Sequence, residues 1–598
     1  MNFFQNTLQS VEVGKGNIFA QIIPFLTALL VVAGAYDFMI YRGLNEAQSM
    51  DNAQLARQIV RGQGFTTEFL RPQAVAQLRD YAATQSVLLS KSHDLFPSDR
   101  FPPGSPRILP DTYNAPGYPC LLAAWFECTH PEFDELPLSM VAARMYSPDR
   151  WIPILNQIFM IVTAVLVFTL GTRLFDQRVA WLSMLCFLGC DTVWHFTLTA
   201  LSTSFLMFLI TAMLMCVLEI FRVGEAAFES ENRSFGPAWN WGFAVALLLA
   251  AACLTRLHLV VLLVPLVVFL VIMPRGSFAL FLVIALLVIG FITPWFLHVN
   301  AVSGNPLGSN FAYLLYGEGD YTGNQIFCTT SIPSYQQLFK DATKKEISGF
   351  LWHFDHFWSL LGTNPVVLLF VASILHQFKR RRTRLFHWLI FSCAIAIITA
   401  NNLGVPNPET IGPWNTVVIL LPCMLVLGSA FFYILLDRLN VQIRLLSNVI
   451  VIAIVALTLT PMIITITTDS NQYNNFPPYW SPSIKAFGQF AQPDEWVTTD
   501  MPWATAWYAD RASLWLPDSV ADFENFHDNT CPSGILLLTS VSLSEPLSNF
   551  KSGEYKDWFS FVTDQPAPTT FPLQAHFSTT PGGPDYSVWS DRPRWQER

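Results

Sequence analysis

The sequence predicts a polytopic α-helical membrane protein of about eleven spans, N-terminus inside and C-terminus outside, with a small α/β domain on the outer side. Three observations predict it. Of 598 residues, 52% are apolar and only 13% charged, where an ordinary soluble domain carries roughly 25% charge. Apolar runs long enough to cross a bilayer recur from residue 19 to residue 467. Arginines gather in alternate short connections between those runs. These features exclude a disordered chain and a single soluble globule. The balance of 34 Lys+Arg against 43 Asp+Glu, net −9, excludes an ordinary nucleic-acid binder, which carries the opposite sign.

A span needs about 20 mostly apolar residues, because in lipid the backbone must satisfy its own hydrogen bonds. The first is 19–37, FAQIIPFLTALLVVAGAYD. Ala33-Gly34-Ala35 resembles a signal cleavage site, but the many spans that follow make this stretch a retained helix. Further spans are expected at 152–171, 179–197, 203–221, 240–255, 257–273, 278–297, 364–378, 385–400, 414–435 and 446–467. Arg173, Arg178, Arg222, Arg233, Arg275, the run Lys379–Arg384, Arg438 and Arg444 all fall on one side of this path. That side is cytoplasmic by the positive-inside rule. Residues 1–467 therefore form the membrane region, with large outer loops at 38–151 and 298–363, and 468–598 form an outer domain. No period of 20–50 residues repeats, and no inverted half-repeat of the transporter kind is visible.

Four of the ten cysteines fall outside: Cys120, Cys128, Cys328 and Cys531. Pairing of Cys120 with Cys128, and of Cys328 with Cys531, is compatible with the spacing, which does not decide it. No CxxC or HExxH spacing occurs, and no metal site is expected.

The first outer loop carries the main chemical signal. A short helix, Asn52–Arg61, is opened by Asp51 and stopped by Gly62 and Gly64. Gln54, three residues after Asp51, completes a capping-box pattern. Leu55, Ile59 and Val60 share one face, and Arg57 and Arg61 share another at i, i+4. The loop continues through Arg71-Pro72 to Tyr113-Asn114-Ala115-Pro116-Gly117-Tyr118-Pro119. The apolar stretch Cys120–Phe126 after it is too short to span and lies in the interface. Downstream, Leu254-Thr255-Arg256 interrupts the apolar run 241–273, and Pro294-Trp295, Asn300 and Gly304 close another span.

These residues, in this order, resemble the GT-C superfamily of membrane glycosyltransferases, in particular the bacterial branch related to protein O-mannosyltransferases. Members carry an acidic residue after the first span, a helix ending in a Gly-x-Gly-like turn, and a Pro-Gly-Tyr-Pro-type entry to an apolar segment. Asp51, Gly62-Gln63-Gly64 and Pro116-Gly117-Tyr118-Pro119 match. The resemblance covers about 20–435. One departure is Leu201-Ser202-Thr203-Ser204, where relatives often open the fourth span with an acidic residue.

The resemblance implies transfer of a sugar from a polyprenyl-phosphate donor to a lipid, glycan or protein acceptor, at the outer face of a bacterial inner membrane. It implies no cofactor beyond that lipid-linked sugar. Asp51 is the expected general base of a single inverting displacement. Arg256, with His258 beside it, and Arg61 and Arg71 flanking the glycine turn, are the expected contacts to the lipid phosphate. Each residue also has a structural reading: Asp51 as a helix cap, Arg256 reaching to lipid headgroups, Arg61 or Arg71 solvating the loop. Glu46 and Asp37 are alternative bases, and Asp191 with His195 form a weaker intramembrane pair. Two other classes stay open: a lipid-linked-sugar transporter, which would line several spans with ionisable residues that are sparse here, and a non-catalytic protein on the same scaffold.

From 468 the chain turns polar and Pro-rich. Trp496–Asp500, Ala512–Leu516 and Ser533–Thr539 read as strands, Ala504–Asp510 as a short helix, and a Pro-rich tail starts near 565. Asp500 ends a strand, where a ligand or a simple turn would suit it. This segment holds 7 Lys+Arg and 16 Asp+Glu, the whole net charge of the chain. Such an acidic domain is expected to stand away from anionic lipid, over the site around Asp51.

Overall fold

A computed structural model describes residues 15–89, 109–133, 145–229, 236–272, 278–309, 342–404, 417–439, 444–468, 481–530, 532–543, 546–552, 555–578 and 586–596. Among these, seven helices are long and apolar enough to cross a membrane: Ser147–Leu174, Thr203–Ala226, Ala238–Thr255, Phe278–Ser303, Arg381–Leu403, Val417–Arg438 and Leu446–Thr468. The chain is a polytopic α-helical membrane protein.

The remaining stretches expected to span are bent or shorter helices. The stretch read as one span at 179–197 is two helices, Gln177–Leu188 and Asp191–Thr197, bent by 57°. Gly189 and Cys190 form the break, and Gly362 packs so closely there that a Cβ on it would lie 2.5 Å from Cys190 Sγ. Three apolar helices are shorter: Phe25–Ile40, Leu257–Ile272 and Pro365–Leu375. The second of these begins as a tighter 3-10 turn, Leu257–Leu262, directly after Arg256. Phe278–Ser303 and Leu446–Thr468 bury only 22% and 11% of their apolar windows, so their remaining surface suits lipid.

The acidic C-terminal segment packs onto the first large loop. Among the described residues, six strands form one sheet in the order β2-β5-β4-β6-β8-β7. Its members are β4 (Trp496–Thr499), β5 (Ser513–Trp515), β6 (Ser533–Leu538), β7 (Ala575–Ser578) and β8 (Ser587–Ser590), with β2 (Phe69–Leu70) from the first large loop. Strands β2, β5, β4 and β6 run parallel, and β8 and β7 complete the sheet antiparallel. Strand β1 (Thr66–Thr67) pairs instead with β3 (Leu109–Pro110). Behind the large sheet, Met50, Ala53, Tyr118 and Phe126 of the first loop share one apolar core with Trp503, Trp507, Trp515 and Ile535. Burying those aromatics between the two segments holds them together.

Cys120 and Cys128 are both exposed and unbonded, on one helix, Gly117–Thr129. Two turns and more separate them, about 12 Å of rise, so they do not pair with each other. Cys328 and Cys531 lie outside the described residues.

Candidate active site

The first-loop helix is longer than expected, Ala47–Val60, and its N-cap is Glu46 in extended conformation. Asp51 therefore sits past the first turn, where backbone N–H groups already have carbonyl partners, and it does not cap. The helix ends where Gly62 takes φ +74°, a left-handed conformation that favours glycine.

Asp51 is fully buried. Its Oδ1 accepts from Gln54 Nε2 at 2.9 Å, and its Oδ2 accepts from Arg71 Nη2 and Asn114 Nδ2, each at 2.9 Å. Gln54 is held by two more bonds, donating to Thr67 Oγ1 at 2.8 Å and accepting from Glu68 N at 3.1 Å. The Arg71 guanidinium carbon lies 4.0 Å from the Phe69 ring centre and 3.7 Å from that of Tyr113. Two aromatic faces thus sandwich a cation paired to a buried carboxylate.

Asn114 also donates from Nδ2 to Asp111 Oδ2 at 2.7 Å. Asp111 Oδ1 accepts from Tyr113 N at 2.6 Å and Asn114 N at 3.0 Å, an Asx-type turn. Burial, and then the nearby Asp51 charge, push the Asp111 carboxyl up; Arg71 and Asn114 pull the other way without reversing it. A small recess of about 10 Å³, room for about one water, lies beside this centre, with Thr67, Arg71, Asp111, Thr112, Tyr113 and Ser309 in its wall.

Arg256 follows the Ala238–Thr255 helix and is buried. Its Nε donates to Ser202 Oγ at 3.1 Å and its Nη2 to Thr203 Oγ1 at 3.2 Å. Two hydroxyls thus receive the guanidinium in the stretch where relatives often have a carboxylate. Asn52, the neighbour of Asp51, donates to the Ala200 carbonyl at 2.9 Å, which ties the Asp51 helix to the strip that holds Arg256. Gly117 closes the arrangement: a Cβ there would lie 2.5 Å from Thr255 Oγ1 and 2.9 Å from the Leu254 carbonyl. Three stretches far apart in sequence meet here, around Asp51, around Asn114–Gly117 and around Arg256.

Other expected site residues have different surroundings. Arg61 donates to both oxygens of Asp510, at 2.7 and 3.0 Å, which makes it a bridge to the C-terminal segment. His258 is half-buried in the 3-10 turn after Arg256. Asp37 accepts from Gln157 Nε2 at 2.7 Å. Asp191 accepts from the Tyr36 hydroxyl and from Thr465 at 3.2 Å, and pairs with His195 at 3.4 Å, all at the bent pair of helices. Asp500 accepts from the backbone N–H groups and hydroxyls of Thr539 and Ser542, and so caps the short helix that follows β6. Among the described residues, no group of three or more His, Cys, Asp or Glu side chains could hold a metal ion.

Three further buried residues near the centre are not among the expected site residues. Arg57, fully buried, bonds Glu68 at 2.6 Å and the carbonyls of Ala506 and Trp507 at 2.6 and 2.8 Å. Asp149 accepts from Trp507 Nε1 at 2.9 Å and the Tyr508 hydroxyl at 3.0 Å. Together they clamp the C-terminal segment onto the back of the helix that carries Asp51. Asp111 is the third, and its one signal is the Asp-x-x-Asn pattern of an Asx turn.

Comparison with solved structures decides the fold family. ArnT from Cupriavidus metallidurans bound to undecaprenyl phosphate matches with a TM-score of 0.54 at 12% identity, over 96% of this chain and 98% of that one. The chain has the GT-C fold. The same ArnT in its apo state matches this chain at a TM-score of 0.52 and 12% identity, over the same shares of both chains. The apo oligosaccharyltransferase of Archaeoglobus fulgidus matches at a TM-score of 0.50 and 10% identity, over 95% of this chain and 74% of its own. No protein-family model and no curated protein matches the sequence. The GT-C resemblance read from loosely spaced motifs is thus matched in three dimensions.

Proposed function

We propose that this protein is a membrane glycosyltransferase that moves a sugar from a polyprenyl-phosphate donor to an acceptor at the outer face of a bacterial inner membrane. The observation that carries the reading is the convergence of a buried carboxylate, Asp51, with Arg71, Asn114 and the Arg256 strip. It occurs in a fold shared with ArnT, whose structure holds undecaprenyl phosphate. As the acceptor hydroxyl or amine attacks the anomeric carbon it must shed a proton, and the carboxylate centre headed by Asp51 receives it. The departing lipid phosphate gathers negative charge, which Arg71 and Arg256 offset with planar forks suited to phosphate oxygens. His258 borders that phosphate position, and Arg61 supports the centre by docking the C-terminal segment. One inverting displacement needs no second nucleophile. The lipid-linked sugar is the only co-substrate in this scheme.

The test is release of undecaprenyl phosphate from a panel of labelled undecaprenyl-phosphate hexoses and pentoses by the full-length protein in phosphatidylethanolamine–phosphatidylglycerol vesicles. Wild type is expected to turn over at least one donor, and Asp51→Asn to lose at least about 100-fold in rate. Undiminished transfer by Asp51→Asn overturns the role of that residue. No turnover of any donor favours the alternative that Ser202 and Thr203 suggest by replacing an acidic residue: a non-catalytic lipid-phosphate-binding protein on the GT-C scaffold.

A further inference from the structure

Ahead of the short apolar helix Pro365–Leu375 runs another, Ala342–Leu360, in the stretch 298–363 that the sequence reads as a loop outside the membrane. Its 19 residues are long enough for a span. They include Lys344, Lys345, Glu346 and Asp355, however, and are too polar to form one. We propose that this helix lies in the membrane surface, at the boundary between headgroups and acyl chains, and that its partner is the lipid leaflet on the Arg256 side of the membrane. The inference does not depend on sugar transfer.

The helix divides into three arcs. Ile347, Phe350, Leu351, Phe354 and Trp358 are all exposed, Leu351 at 61% and Phe354 at 82%, and they fall within about 100° of one another around the axis. Lys344, Asp355, His356 and Ser359, also exposed, fill the next arc. Gly349, His353 and Leu360 are buried and fill the third, which faces the rest of the protein. A helix wholly in water would not hold five large apolar side chains out side by side. A helix wholly in hydrocarbon would not hold out Lys344 and Asp355. The boundary satisfies both arcs at once.

The buried arc fixes the side of the membrane. A Cβ on Gly349 would lie 2.2 Å from Asn402 Oδ1, and Asn402 Nδ2 donates to Glu346 Oε2 at 3.3 Å. Asn402 stands in the last turn of the helix Arg381–Gly404. At the first turn of that helix, Arg381 donates to the Ile272 carbonyl at 3.4 Å. Ile272 ends the apolar helix that begins at Leu257, directly after Arg256, and that helix packs along Arg381–Gly404. The two therefore run antiparallel, and the Asn402 end lies on the Arg256 side.

Two further observations make lipid the occupant. The apolar arc continues a surface that already belongs to a span, since Arg381–Gly404 leaves Trp388, Ile395 and Leu403 exposed in one strip and Asn402 borders that strip. Downstream, Pro365–Leu375 is about 16 Å long, roughly half of a 30 Å hydrocarbon core, and it exposes Leu368, Ile374 and Leu375. A helix that short does not cross alone, so the chain is already below the headgroups where it starts. Leu360, just ahead of it, ends the proposed surface helix at that depth.

Photo-crosslinking tests the assignment on the full-length protein in phosphatidylethanolamine–phosphatidylglycerol vesicles. p-Benzoyl-phenylalanine is placed in turn at positions 354, 356 and 359, all of them exposed, so that the label leaves the packing intact. Adducts are identified by mass. The protein labelled at 354 is expected to form phospholipid adducts at least about tenfold more often than those labelled at 356 or 359, which face away from the acyl chains. A smaller ratio overturns the inference. So does a 354 adduct made chiefly with a second copy or with another segment of this chain.

Discussion

Arg71 pairs with Asp51 at 2.9 Å while its guanidinium lies between the rings of Phe69 and Tyr113. One side chain thus neutralises a buried carboxylate and joins the start of strand β2 to the loop that carries Asp111. Arg71→Ala leaves Asp51 buried and short of a cation, at a cost of about 3–5 kcal/mol. Thermal unfolding in detergent should register it as a clear drop in Tm. Arg71→Lys keeps the charge but loses the planar fork and the ring stacking, so it should fall between Arg71→Ala and wild type.

The partners of Arg256 include two neutral hydroxyls, and a phosphate would be a stronger partner than either. Arg256→Gln is expected to weaken binding of undecaprenyl phosphate by about 10–100-fold. Native mass spectrometry of the purified protein titrated with that lipid reads the change. A shift of less than threefold would remove Arg256 from the phosphate site.

Gly117 touches the Leu254 carbonyl and Thr255 too closely to accept a methyl group. Gly117→Ala should cost about 1–3 kcal/mol by overpacking and should lower transfer more than its stability loss explains, because it pushes the Asn114 loop away from Arg256. Comparing Tm with turnover at a temperature where both proteins are folded separates the two effects.

Asp510 gives the docking interface a pH dependence. Burial opposes its charge, but Arg57 and Arg61 outweigh burial and hold its carboxyl down at about 2. A folded-state value below the unfolded one, near 3.9, stabilises the fold above the unfolded pKa. That stabilisation disappears as pH falls from about 4 to about 2. Tm should therefore fall through this window, and Asp510→Asn should be less stable near neutral pH with a flatter acid slope. An unchanged slope in the variant would show that another group governs acid unfolding.

Hydropathy alone locates most of the membrane helices, because a bilayer imposes one length and one composition. It does not see the bend at Gly189-Cys190, where Gly362 of a distant turn packs against Cys190. Arg256 stands out as a charge interrupting an apolar run and Asp51 as an acid opening a loop helix, and a known family order gives them meaning. Whether Arg61 or Arg71 joins Asp51 is invisible locally, since both flank the same glycine turn; Asp510, 449 residues from Arg61 in sequence, draws that one away. Asp111 sits in a loop with no periodicity, so only its contacts reveal it. Strand β2 is two residues long, too short for any alternation pattern to register.

That short strand sets an order of events in the making of the protein. Phe69 and Leu70 emerge early from the ribosome, yet their sheet neighbours, Ser513 and Leu514, are among the later residues to appear. Until they arrive, Arg57 has no Trp507 or Ala506 carbonyl to bond, and the back of the Asp51 helix lies open. A chain interrupted before residue 496 would carry every charged group of the centre and still lack the wall that holds them in register.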